Sequence, residues 1–184
     1  MQKRKELILV IHNVRSALNV GALFRTADGA GVKRIFLTGY TPCPHPLGES
    51  ALPPAYLTPA QKSLAKTALG AEKIVSWKKS VSPGRVLAEL RQAGFAIVAL
   101  EQHEKSIDYR EYASEAGVAL VIGNEVRGLD AKILKQCDVI LEIPMRGAKN
   151  SLNVSVAAGI ALYQIGGIME AGYPIKIKTV CSKK

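Results

Sequence analysis

The sequence is poor in aromatic residues and cysteines and has no long apolar run. Aromatic residues make up 5% of its 184 residues, too few for the rows of stacked rings that grip single-stranded nucleic acid. Its three cysteines, Cys43, Cys137 and Cys181, are far apart and support neither a disulfide framework nor a metal site. No apolar run approaches the roughly 18 residues of a membrane span, and residues 7–11 are too few for the centre of a signal peptide. We therefore expect a cytoplasmic protein with no bound metal and no membrane partner.

Acidic residues are also scarce relative to basic ones. The chain has 25 lysines and arginines against 15 aspartates and glutamates, a net charge of +10. Such an excess attracts polyanions, because binding releases the counterions condensed on them. Nucleic acid is therefore the leading partner class, and the alternative is a charge that only keeps the protein soluble. With 48% hydrophobic and 22% charged residues, the chain is expected to fold as a single domain over residues 1–184.

Apolar strand-like runs alternate with helical segments along the chain. The predicted strands are residues 7–11, 34–38, 73–77, 96–100, 118–122 and 139–143, and the predicted helices are 20–30, 83–93, 130–136 and 152–165. This alternation predicts an α/β fold with a mostly parallel sheet. The proline-rich segment 39–59 is expected to be either a functional loop or a disordered one, and residues 176–184 a solvated tail.

Two glycine-containing loops follow predicted strands. The first, GNEVRGLD at residues 123–130, matches the start of a phosphate-binding GxxxxGK[ST] loop but has Leu129 and Asp130 in place of the lysine and hydroxyl residue, which argues against an NTPase. No strand leads into a GxGxxG dinucleotide motif. The second loop, IPMRGAKNSLN at residues 143–153, also enters a helix. Ligands bind beyond the carboxyl ends of parallel strands, so the two loops could wall one pocket. The alternative for the first is a plain strand-to-helix turn.

A third segment, NVGALFRTADGAG at residues 19–31, has the apolar spacing of an amphipathic helix. Asn19 stands where an N-cap is expected. Arg25 points away from the core and leans over Gly21 toward Asn19, because helical side chains lean toward the N-terminus. That arrangement would suit a phosphate or an RNA backbone. The alternative is a solvent-facing Arg25 paired with Asp28.

Three segments of the chain resemble, in order, the three motifs of the SpoU/TrmH family within the SPOUT superfamily of RNA methyltransferases. They are NVRSALNVGALFRTADGAGV, LVIGNEVRGLD and IPMRGAKNSLNVSVAAG. The resemblance implies a SPOUT fold with a C-terminal deep trefoil knot, and a homodimer. Members of the family often carry an extra RNA-binding domain before the first motif, but only 12 residues precede that motif here, so we expect no separate N-terminal RNA-binding domain. It also implies methyl transfer from S-adenosyl-L-methionine (AdoMet) to a ribose 2′-hydroxyl of tRNA or rRNA, with tRNA slightly favoured. The implied cofactor-binding residues are Leu100, Gly123, Ile143, Met145 and Leu152.

The same resemblance implies the catalytic residues Arg25, Asn19, Glu125, Ser151 and Asn153. A guanidinium is a poor general base because its pKa lies above about 12. Our hypothesis is that Arg25 anchors an RNA phosphate and stabilises the developing alkoxide, that Glu125 holds Arg25 or another basic group, and that the other three side chains orient the ribose. Two alternatives stay open: a non-catalytic RNA-binding or ribosome-assembly protein on the same scaffold, and a SPOUT enzyme that methylates a base.

Overall fold

The computed structural model describes residues 6–46 and 56–167. Within these residues, seven strands form one sheet: β1 (Leu7–His12), β2 (Arg34–Thr38), β3 (Trp77–Ser80), β4 (Ala96–Leu100), β5 (Ile107–Asp108), β6 (Val118–Ile122) and β7 (Val139–Glu142). Their order is β3-β2-β1-β6-β4-β7-β5, and every pairing is parallel. All carboxyl ends therefore meet at one edge of the sheet. The predicted α/β fold with a mostly parallel sheet is confirmed.

Helices cover both faces of the sheet. They are α1 (Ala17–Gly29), α2 (Pro59–Ala68), α3 (Ala71–Ile74), α4 (Pro83–Gln92), α5 (Ala131–Leu134) and α6 (Val154–Ile165). Alternate residues of β1 point to opposite faces, so Leu9 joins the core under α1, α2 and α6, and Val10 joins the core under α4 and α5. No helix in these two ranges is long and apolar enough to cross a membrane.

Three predicted strands, at residues 34–38, 96–100 and 118–122, have the observed bounds. The strand predicted at residues 73–77 is wrong, because residues Ala71–Ile74 form α3 and the strand begins only at Trp77. Gly70 begins this helix with φ +93°, and Glu72 accepts a hydrogen bond from its amide at 3.0 Å. Neither α2 nor β5 was predicted. Residues 47–55 of the proline-rich segment, Cys181 and the predicted tail at 176–184 lie outside the described residues.

Two helix starts differ from the sequence prediction. Helix α1 begins at Ala17, three residues before the predicted start, because the Ser16 hydroxyl caps it by accepting the amide of Asn19 at 3.3 Å. Asn19 therefore lies in the first turn and is not the N-cap. Helix α6 begins at Val154 with Asn153 as its N-cap. With these starts, the amide side chains of Asn19 and Asn153 lie within hydrogen-bonding distance of each other.

Candidate active site

A cavity of about 340 Å³ lies at the carboxyl ends of β4, β6 and β7. Its wall is formed by the ends of these strands, by the loop after β6, and by the segment that leads from β7 into α6. All five residues expected to bind the cofactor line it, together with three of the expected catalytic residues: Leu100, Gly123, Ile143, Met145, Leu152, Glu125, Ser151 and Asn153. The two glycine-containing loops thus share one pocket.

The loop after β6 is tightly closed on itself. Asn124 and Gly128 form a bridge, with their backbone amides donating to each other's carbonyls at 3.2 and 2.9 Å. The Asn124 side chain also accepts from the amides of Val126 and Arg127 at 2.9 and 2.8 Å. A Cβ on Gly123 would stand 2.5 Å from the Gly128 carbonyl carbon, so a residue larger than glycine would open the loop. The loop is a rigid wall of the cavity.

Glu101 and Gln102, at the end of β4, tie the two loops together, although neither was predicted as a site residue. The Glu101 carboxylate accepts from the Leu129 amide at 2.8 Å, and the Gln102 side-chain amide donates to the Asn150 carbonyl. Both residues line the cavity. Their signal in the sequence was their position directly after a buried strand, where a parallel sheet places its ligand-binding residues.

Glu125 binds the N-terminus of α1. Its carboxylate accepts from the backbone amides of Arg15 and Ser16, both at 3.0 Å, and from the side-chain amide of Asn19 at 3.1 Å. Burial alone would raise the pKa of Glu125, but these hydrogen bonds outweigh it and leave the pKa below its ordinary value. A carboxylate at a helix N-terminus is also favoured by the helix dipole. The expected contact of Glu125 with Arg25 or another basic group is not observed, because backbone amides and Asn19 occupy the carboxylate.

Asn153 connects the third motif to the first. Its side-chain oxygen accepts from the Ser155 amide at 2.9 Å and from the Ser155 hydroxyl at 2.6 Å, and its side-chain amide donates to Asn19 Oδ1 at 3.1 Å. Because Asn19 in turn donates to Glu125, a continuous line of hydrogen bonds joins all three motifs at the cavity rim. Ser151 is exposed there and makes no hydrogen bond with the part of the chain that the structure describes.

Arg25 lies apart from this group. It is exposed on α1, does not line the cavity, and its side chain has neither a hydrogen bond nor an ion pair among residues 6–46 and 56–167. The predicted position over an open Gly21 is wrong, because α2 covers that glycine: a Cβ there would stand 2.1 Å from both the Leu64 carbonyl oxygen and Thr67 Oγ1. The alternative pairing with Asp28 is not observed either. The structure therefore brings together four of the five expected catalytic residues.

A second pocket, of about 570 Å³, lies against the same loop and was not predicted. Its lining residues are Arg15, Tyr40, Asn124, Val126 and Arg127. The Asn124 side-chain amide donates to the Asn13 carbonyl at 3.0 Å and to the Tyr40 hydroxyl at 3.1 Å. Asn124 and Val126 line both pockets, so this loop is the shared wall between them.

Comparison with protein families gives one match over most of the chain. The model of the SpoU rRNA Methylase family matches residues 6–163. The tRNA (guanosine(18)-2′-O)-methyltransferase of Aquifex aeolicus is 34% identical over 163 residues, which are 89% of this chain and 70% of that protein. A putative TrmH family tRNA/rRNA methyltransferase of Staphylococcus haemolyticus is 28% identical, and the match covers 89% of this chain and 61% of that protein.

Solved structures with the same fold include two informative neighbours. An AdoMet-bound rRNA methyltransferase from Sinorhizobium meliloti superposes with a TM-score of 0.74 at 26% identity, over 89% of this chain and 56% of that one. The TrmH/SpoU tRNA modifying enzyme of A. aeolicus superposes with a TM-score of 0.70 at 32% identity, over 89% and 75%. This chain thus spans only part of the length of each of these proteins.

Proposed function

The chain belongs to the SpoU rRNA methylase family, and from that premise we propose that it transfers a methyl group from AdoMet to a ribose 2′-hydroxyl of RNA. The observation that carries the proposal is the meeting of the three motifs at one cavity through the hydrogen bonds of Asn153, Asn19 and Glu125. Substrate tRNA is favoured, since the A. aeolicus relative is named as a tRNA 2′-O-methyltransferase. Ribosomal RNA is the second candidate because other neighbours are named as rRNA methyltransferases.

The composition of the cavity wall suits AdoMet. Glu101, Glu125 and Glu142 line the cavity, and no lysine or arginine of residues 6–46 and 56–167 does, which favours a ligand that carries a sulfonium and an ammonium group. The backbone groups of Met145 and Leu152 make no hydrogen bond within the described chain, so they are available to a purine or a ribose. A structural neighbour is named as AdoMet-bound. We assign the holding of this cofactor to the five residues named for it above.

In this proposal, the acceptor ribose binds at the rim of the cavity, beside the polar side chains of Asn19, Ser151 and Asn153. AdoMet supplies an electrophilic methyl group, and the protein has to hold the ribose oxygen in line with it. Positioning of this kind can lower a barrier by several kcal/mol. The Ser151 hydroxyl and the amides of Asn153 and Asn19 provide hydrogen bonds for the sugar, while Glu125 fixes the first turn of α1 so that Asn19 does not move.

The role proposed for Arg25 depends on a homodimer. The half-exposed apolar residues Leu18 and Val156 lie on α1 and α6, which pack against each other, and Arg25 lies two helical turns beyond Leu18 on α1. We propose that a second copy covers this surface and that Arg25 acts at the cavity of the partner protomer, on an RNA phosphate and the developing alkoxide. Replacement of Arg25 by lysine should then lower kcat, because a planar fork is lost. Full activity with an unchanged pH profile would contradict this role.

A C-terminal trefoil knot is the remaining part of the proposal. Helix α6 follows β7 near one edge of the sheet, yet it packs against α1 and against β6 and β4 in the middle. The segment between β7 and α6 therefore returns from the edge of the sheet to its middle. Within this segment, the Asn150 carbonyl accepts a hydrogen bond from the Gln102 side chain. A crystal structure with AdoMet bound would test whether this return is knotted.

The cytoplasmic location stays a prediction.

The direct test is methylation of separate RNA pools. Purified protein is incubated with methyl-labelled AdoMet and either tRNA or rRNA, and binding of AdoMet alone is measured by calorimetry. The proposal predicts cofactor binding and incorporation into one pool. Binding of RNA without incorporation into either pool would instead favour the non-catalytic alternative.

A further inference from the structure

The second pocket has the composition of a nucleotide-binding site. Two arginines and a tyrosine, Arg15, Arg127 and Tyr40, surround it, and it shares the wall of Asn124 and Val126 with the cavity. We propose that it binds the RNA nucleotide next to the methylated one, with its phosphate between Arg15 and Arg127 and its base against Tyr40. This inference rests on the proposed function, since it assigns the neighbouring nucleotide of the same RNA.

The charge of the pocket favours an anion. Among the described residues, no acidic side chain lines it, and neither guanidinium has a hydrogen bond or an ion pair with them. Glu125, which lies between Asn124 and Val126 in sequence, is already bound by three donors. Two like charges facing one pocket repel each other unless an anion separates them. A phosphodiester provides the charge and the paired oxygens that a guanidinium fork binds best.

The backbones of the two arginines and the hydroxyl of Tyr40 are anchored, while the two guanidinium groups and the face of the tyrosine ring stay free. The backbone amide of Arg15 donates to Glu125 at 3.0 Å, and that of Arg127 donates to Asn124 Oδ1 at 2.8 Å. Tyr40 is held at both ends, because its amide donates to Asn13 Oδ1 at 3.2 Å and its hydroxyl accepts from Asn124 at 3.1 Å. Its side chain is nevertheless largely exposed, at 57% for the residue. Anchoring of this kind reduces the entropy lost on binding.

The two pockets have opposite charge across one thin wall. Glutamates line the cavity proposed for the cationic cofactor, and arginines line the neighbouring pocket. Val126, at the top of the wall, is 85% exposed, which gives a sugar an apolar surface to rest on. A strand that enters the basic pocket would cross this wall and bring its next ribose to the cavity rim, beside Ser151 and Asn153. The arrangement thus sets the direction from which RNA approaches.

Salt-dependent RNA binding tests the phosphate contacts. The affinity for bulk tRNA is measured at increasing KCl for the wild type, Arg15→Ala, Arg127→Ala and the double variant. Because the two guanidinium groups share one phosphate, the double variant should reduce the slope of log affinity against log salt by about 0.7 to 0.9, and each single variant by less. The matched control is Arg34→Ala, which removes the same charge at the opposite edge of the sheet, where β2 begins. It should leave the slope unchanged.

Tyr40 is tested through its ring. Tyr40→Ala should weaken tRNA binding about tenfold, the usual size for loss of one stacked base, and Tyr40→Phe should retain most of the affinity. For whichever RNA pool is methylated, the arginine variants should raise KM for RNA and leave the affinity for AdoMet unchanged.

Two results would overturn the inference. One is a pair of arginine variants with the affinity and salt slope of Arg34→Ala, and the other is a Tyr40→Ala variant that binds like the wild type. If these occur while the wild type methylates RNA, the pocket assignment is wrong and the proposed function stands. If the wild type transfers no methyl group but the arginine variants show the reduced salt slope, the pocket binds RNA and the proposed function is wrong.

Discussion

At the residue scale, Glu125 and Asn153 each line the cavity and also stabilise the start of a helix. Glu125 lines the cavity and also closes the N-terminus of α1, and Asn153 lines the cavity and also caps α6. Asn19 joins them through one hydrogen bond to each. Substitutions at these positions therefore have to separate a structural effect from a catalytic one, and conservative replacements can do so.

Glu125→Gln should lower the free energy of unfolding by about 1–2 kcal/mol at neutral pH, since charge-assisted hydrogen bonds to the α1 amides are lost. Because the pKa of Glu125 is lowered in the folded state, its stabilisation is present above the carboxyl pKa of the unfolded chain. That stabilisation is lost as pH falls through the lower folded-state value. Urea unfolding at pH 7 and in acid measures the difference between variant and wild type. It should shrink in acid, and an equal difference at both pH values would contradict the account. Glu104→Gln, at an exposed turn residue, is the control.

Asn153→Asp should fold like the wild type and lose most of its activity. An aspartate keeps the oxygen that caps α6, and its charge suits a helix N-terminus. It lacks the amide that donates to Asn19 Oδ1, so that hydrogen bond is replaced by an oxygen facing an oxygen. Asn153→Ala should instead lose about 1 kcal/mol of stability as well. Thermal unfolding and kcat, measured on both variants, separate the roles; a fully active Asn153→Asp would show that the contact with Asn19 is unimportant.

The sequence predicted which residues line the cavity better than it predicted the hydrogen bonds that they make. Gly123, Met145 and Leu152 were expected at the cofactor on family resemblance and do line the cavity. The partners of Glu125 could not be read from the sequence, because they are two backbone amides and the Asn19 side chain, all more than 100 residues away along the chain. The second pocket was missed for a similar reason: Tyr40, Arg15 and Arg127 share no motif, and only the fold brings them together.

At the scale of elements, the contact between α1 and α2 depends on Gly21. The Thr67 hydroxyl donates to the Leu18 carbonyl at 2.8 Å across this contact, and the absence of a side chain on Gly21 allows the close approach. A glycine inside a helix costs about 1 kcal/mol relative to alanine. The close packing of the two helices is what offsets that cost.

Gly21→Ala should therefore destabilise the protein by about 1–3 kcal/mol, the usual cost of overpacking, despite the better helix propensity of alanine. The new Cβ would stand 2.1 Å from both the Leu64 carbonyl oxygen and Thr67 Oγ1, so both would have to move. The control is Gly84→Ala in α4, where the nearest atom is the end of the flexible Gln136 side chain at 3.3 Å. Chemical denaturation compares the two. A Gly21→Ala variant as stable as the control would refute the packing argument.

Periodicity predicted the buried strands well and the segments between them poorly. Strands β4 and β6 carry continuous apolar runs because both faces are covered, so their bounds could be read directly. The strand predicted at residues 73–77 was wrong because the short mixed run KIVSW fits a strand or the end of a helix equally well. The N-cap at Gly70 favours the helix. Helix α1 was started too late because Ser16 and Asn19 are both good caps, and only the structure shows which one is used.

At the scale of the whole molecule, the proposed homodimer is tested by asking whether Arg25 of one chain serves the cavity of the other. Arg25→Ala and Ser151→Trp, which fills the cavity mouth, should each be inactive alone. Mixed and allowed to exchange subunits, they should recover about a quarter of wild-type activity, because half of the dimers then contain one intact composite site. Activity of the mixture at the level of the separate variants would place Arg25 and the cavity in the same chain or rule out the dimer. Dimer formation itself is checked by sedimentation.

The most direct measurement of the central claim is the position of the transferred methyl group. The wild type and Ser151→Trp are each incubated with trideuteromethyl AdoMet and with tRNA and rRNA separately, and the digested nucleosides are analysed by mass spectrometry. The account predicts a ribose-methylated nucleoside carrying the label from one RNA pool with the wild type and none with Ser151→Trp. Label found only on a base, no label in either pool, or equal label from Ser151→Trp would contradict it.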